Sequence, residues 1–199
     1  MTGVKRLFRG GSAGNAQLTA VVATILLLLL AIEGATLLQL RSLLTVHSFV
    51  GILLIPIIGL KLASTGWRTL RYYTHAPEYV EAGPPTVALR VLVAPLIVLS
   101  TIVLFATGVV LLARDETQGL MVGLHKASFI VWVGATSVHV LAHGLKLPGA
   151  LRARIPGLRV RLAVVGATAT CGIGIAIATL PAADKLQDHA STQIGFDRH

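Results

Sequence analysis

Charge is scarce in this chain. Only 13% of its 199 residues are Asp, Glu, Lys or Arg, against 54% hydrophobic ones, and the mean hydropathy is +0.79. A soluble domain of this size would carry far more charge, so the composition excludes that class and points to a membrane-embedded protein. Cysteine is nearly absent. The one copy, Cys171, cannot build a disulfide framework, and nothing around it has iron–sulfur or zinc spacing, so it reads as a buried small apolar residue. Acids are few as well, 8 against 17 Lys and Arg, which leaves a formal charge of +9. That excess does not signal nucleic acid, because the basic residues sit at the edges of apolar runs rather than in a stripe with aromatics.

What is present in quantity is apolar length. Five runs reach the roughly 20 residues that a helix needs to cross a hydrocarbon core, at about 17–40, 43–66, 89–113, 120–145 and 160–181. They predict an all-α integral membrane protein with five transmembrane helices in one bundle. Residues 1–16 form a short leading segment and 182–199 a polar tail expected to be disordered. Lys5, Arg6 and Arg9 precede the first run, and Lys146, Arg152, Arg154, Arg159 and Arg161 fill the fourth connection without an acid. The first connection offers only Arg41, and the third mixes Arg114 with Asp115 and Glu116. By the positive-inside rule the N-terminus is cytoplasmic and the C-terminus extracytoplasmic. The first run is too long for a signal-peptide core and is read as an uncleaved anchor.

Two of the runs share a pattern. In HSFVGILLIPIIGLK, His47 and Lys61 stand fourteen residues apart, and in HKASFIVWVGATSVH so do His125 and His139. Fourteen helical residues rise about 21 Å and end about 40° short of four whole turns, so each pair lies on nearly one face at opposite sides of the bilayer. The second and fourth runs are parallel in this topology. His47 and His125 therefore share a depth near the outer surface, and Lys61 and His139 one near the inner surface. An ionisable side chain at the centre of a spanning helix costs roughly 2.5–3.5 kcal/mol, so such residues have a partner or a role. Two neutral imidazoles from facing helices suit the axial positions of a haem iron. Gly51, one turn below His47, and Gly123, two residues before His125, would leave room for a porphyrin. Ser48 and Ser128 stand where they could orient the ligand rings or bind propionates. The competing reading is that each histidine lies at the interface, bonded to water or a carbonyl.

Histidines at this spacing resemble those of the bacterial membrane-integral b-type cytochromes, the cytochrome b561-like proteins and the cytochrome b subunits of formate dehydrogenases and hydrogenases. The resemblance spans the first four runs, 17–145, and rests on spacing. It implies a four-helix haem bundle with a peripheral fifth helix, in a plasma (inner) membrane. It further implies haem b held by His47 and His125, with electrons passing between quinone and an extracytoplasmic oxidoreductase. Such a protein is an electron-transfer subunit rather than a free-standing enzyme. Two-haem members have histidine where this chain has Lys61, or take one from the first helix, which here has none. A second haem at His139 thus lacks an evident second ligand.

The remaining polar residues divide less sharply. Lys61 reads as a snorkelling lysine or a partner for a propionate. His139 and His143, one turn apart, form either a weak transition-metal pair or hydrogen-bonded histidines. Glu33, the one acid inside a run, reads as a proton acceptor for a quinol or as a protonated acid bonded to a neighbouring helix. Trp67, Tyr72 and Tyr73 anchor the second run at the interface, with Arg68 and Arg71 against lipid phosphates. The rival to the electron carrier is a non-redox membrane scaffold or assembly protein that keeps a cytochrome-like bundle.

Overall fold

The computed structural model describes residues 10–83, 87 and 89–196, so Lys5, Arg6 and Arg9 and the last three residues of the tail lie outside the described part. Six helices carry the fold: α1 Gly11–Thr36, α2 Leu44–Tyr73, α3 Ala94–Arg114, α4 Leu120–His143, α5 Leu158–Ala178 and α6 Leu180–Phe196. Among the described residues there is no strand. The first five, with short extensions at α1 and α3, are long and apolar enough to cross a membrane. The chain is an all-α, multi-pass membrane protein.

Helix α2 runs on to Tyr73 rather than ending near residue 66, and α1 begins at Gly11 rather than near residue 17. Its polar first turns are supported from outside the helix. Ser12 N–H donates to the Glu78 carboxylate at 3.3 Å, Asn15 Nδ2 donates to the Ser64 carbonyl at 3.0 Å, and Gln17 Nε2 to the Ala153 carbonyl at 2.7 Å. Those partners are 49 to 136 residues away in sequence, beyond the reach of any local hydropathy pattern. At α3, Pro95 opens the α-helix after a π-turn over Leu89–Val93. Pro56 lies inside α2.

Helix α2 is the hub. It packs against α1, α3, α5 and α6, and its Val50, Ile52, Leu53, Leu54, Ile57 and Ile58 are buried in the core. Helix α5, expected at the periphery, packs closely along α2. Gly172 is the contact point, where an added Cβ would lie 2.9 Å from both the Leu53 carbonyl oxygen and Pro56 Cγ. Cys171 is exposed, not buried, because the residue beside Gly172 is turned about 100° away from that contact. Helices α3 and α4 pair with each other, and α4 has little contact with α2. The α3–α4 hairpin therefore stands off from the α1–α2–α5 group on one side, and a space opens between them.

The segment expected as a disordered tail is helix α6 through Phe196. Its polar composition conceals one apolar stripe, with Ala183 and Leu186 buried against the core. The rest of its docking is polar. Gln187 accepts from Thr45 N–H at 2.8 Å and donates to the Ser42 carbonyl at 3.3 Å, so one amide side chain satisfies the open start of α2. Asp115, in the left-handed conformation at the end of α3, receives Lys185 at 3.2 Å and His189 at 3.5 Å.

Candidate cofactor-binding site

The space between the two helix groups is a cavity of about 700 Å³, within the range of cofactor and ligand sites. Its walls come from the last turns of α1, the first turns of α2, the end of α3, the start of α4, and Leu186 and Ala190 of α6. His47 and His125 both line it. Each stands within the first two turns of its helix, and their ring centres are 6.4 Å apart with planes at 88°.

Both rings are held from behind. His125 Nδ1 lies 3.0 Å from the Leu104 carbonyl oxygen and 3.1 Å from Thr107 Oγ1. A carbonyl only accepts, so Nδ1 carries the proton. The Thr107 hydroxyl has its own acceptor, the Val103 carbonyl at 2.7 Å, and is free to accept from the ring. His47 is arranged alike. Its Nδ1 lies 3.0 Å from Glu33 Oε1 and 3.1 Å from Thr36 Oγ1, while the Thr36 hydroxyl donates to the Glu33 carbonyl at 2.6 Å. With its only hydrogen so placed, Thr36 can only accept from His47. In both rings this leaves Nε2 with a lone pair, and neither Nε2 has a hydrogen-bond partner among the described residues. Donation of the far nitrogen to a carboxylate or carbonyl is the usual support of a metal-binding histidine.

Two imidazoles that share one metal ion, each bonded at about 2 Å with the ring centre about 1 Å behind the nitrogen, would have centres up to about 6 Å apart. The observed separation of the ring centres matches that distance. The cavity supplies the width. Gly51 lines it, and Gly108 of α3 lies against His125, where a Cβ would meet Cε1 at 3.1 Å. The donor set, the spacing and the apolar walls fit a haem.

Other residues predicted from the sequence fall elsewhere. Gly123 is exposed with nothing within 4 Å of a Cβ, since two residues from His125 is about 200° around the helix. Ser128 Oγ donates to the carbonyl of His125 at 2.9 Å, so it serves its own helix rather than a ring, whereas Ser48 lines the cavity. Glu33 stands behind His47, and its Oε2 is buried without a partner. Lys61 and His139 do not line the cavity. Lys61 Nζ donates to the Thr19 carbonyl of α1 at 3.1 Å, and His139 stacks on His143 at 4.7 Å. No third His, Cys, Asp or Glu joins that pair in a metal-binding group among the described residues.

Sequence reasoning missed Thr36, Leu104, Thr107 and Gly108. Thr107 and Gly108 had a faint signal as the break in the apolar run TIVLFATGVVLL, but which face they occupy depends on how α3 docks. No family model matches the sequence, and no curated protein and no solved structure matches it.

Proposed function

We propose that this chain is a membrane b-type cytochrome that passes electrons between the quinone pool and an extracytoplasmic redox partner. In this reading His47 and His125 hold one haem b. The observation that carries it is the pair of Nδ1-anchored imidazoles, 6.4 Å apart, that line one cavity with both Nε2 atoms unpartnered.

A haem held there supplies a one-electron couple. The chain's own residues do the rest. Leu104 and Thr107 fix the tautomer and direction of His125, and Glu33 and Thr36 do the same for His47. Leu54, Phe105 and Trp132 line the cavity with apolar surface. The cavity opens among the α1–α2 and α3–α4 connections and α6, the end that the charge distribution assigns to the extracytoplasmic side. That position suits exchange with a partner at the outer surface. Glu33, held against His47, has its part in ring orientation here.

The reading is tested by absorption spectroscopy of detergent-purified protein from haem-sufficient cells. A low-spin ferric spectrum that a quinol converts to the ferrous form is expected. Colourless protein would favour the scaffold reading, and a haem that quinol does not reduce would remove the quinone pool from the proposal.

A further inference from the structure

The mouth of the cavity carries an imbalance of charge. Arg41, from the α1–α2 connection, and Lys126, next to His125 on α4, both line it. Neither has a hydrogen bond or ion pair among the described residues. The acids around them are committed elsewhere. Glu116, which also lines the cavity, lies 3.6 Å from Arg114, Asp115 holds Lys185 and His189, and Glu33 holds His47. Two unmatched cations thus border one opening, while the interior behind them is apolar. An occupant that matches both has an apolar body and two anionic groups on one edge.

We infer that Arg41 and Lys126 bind the two carboxylates of the haem and orient it with its carboxylate edge at the mouth. This rests on the haem reading above and adds to it the recognition of the anionic edge. Arg41 offers a planar fork that matches a carboxylate, and Lys126 a compact ammonium. The apolar edge then points inward, towards Leu54 and Trp132. The same cations could be met by phosphate groups of lipid, and the experiment separates the two sources.

The full chain, purified without haem, is titrated with haemin and with haemin dimethyl ester, in which both carboxylates are blocked. The wild type should bind haemin at least about tenfold more tightly than the ester. Arg41→Gln and Lys126→Gln should each shrink that preference by about threefold, and the double variant should abolish it. Ester affinity should stay constant across the variants, which shows that the pocket is still formed. Because the ester partitions differently into detergent, the change in preference between variants is the readout. Equal affinity of the wild type for both compounds, or a preference that survives in the double variant, would overturn the inference while leaving the haem reading intact. The second outcome is the one expected if the cations serve lipid phosphates. Binding of neither compound would overturn both.

Discussion

A Cβ built on Gly108 would stand 3.1 Å from Cε1 of His125, closer than a comfortable van der Waals contact. The absent side chain of one helix is what lets the imidazole of the next approach it so closely. Gly108→Val should therefore displace the ring, and haem content should fall at least about fivefold, since misplacing a ligand commonly costs 10–100-fold in metal affinity. Gly123→Val, on a face where a Cβ meets nothing, should keep full haem content. Haem-to-protein ratios of the two purified variants check this. Equal losses in both would mean that β-branching in a helix, not the fit around His125, is responsible.

The contact of α5 with α2 gives a prediction about stability alone. At Gly172 a Cβ would come within 2.9 Å of a carbonyl oxygen and of the Pro56 ring, neither of which can yield as a flexible side chain does. Gly172→Ala should destabilise the bundle by about 1–3 kcal/mol, the usual range for overpacking. Thermal unfolding in detergent should show a lower midpoint, with an unchanged spectrum below it. An unaltered midpoint would mean that α5 is less tightly docked than the structure has it.

Lys61 and His139 face partners of their own, so one haem per chain is expected. Lys61→Met and His139→Ala should leave haem content and spectrum as in the wild type. In Lys61→Met, the Thr19 carbonyl that loses its lysine donor belongs to a helix, which limits the cost. A halving of haem in either variant would reveal a second site.

Helix α6 forms part of the cavity wall through Leu186 and Ala190, and Gln187 ties it to the start of α2. Removal of residues 180–199 should open the site, so haem should transfer from the chain to an excess of apomyoglobin at least about fivefold faster. Gln187→Ala should show a smaller increase, because a neutral hydrogen bond contributes only about 0.5–1.5 kcal/mol. An unchanged transfer rate after truncation would show that α6 is not a barrier.

The sequence made some of this legible and concealed the rest, for identifiable reasons. The five spans are legible because a bilayer imposes length and hydropathy on each helix separately. The expectation of matched depth for His47 and His125 came from their places near the starts of two parallel runs, both readable along one dimension. Gly123 was misplaced by that same one-dimensional view, which counts residues from His125 but ignores the 200° that two residues turn. Gly108 and the Leu104 carbonyl belong to α3, and their bearing on His125 exists only once the α3–α4 hairpin is packed. The order of α6 was hidden because polar side chains carry much of its docking, and Gln187 finds its partners 142 and 145 residues away.

The most direct test is haem quantitation together with ferric and ferrous spectra for the wild type, His47→Ala and His125→Ala, each purified from haem-sufficient cells. The expected result is one low-spin haem per wild-type chain, and in each variant either no haem or a high-spin species that added imidazole returns to low spin. A wild-type protein without haem, or a low-spin spectrum that survives both substitutions, would contradict it.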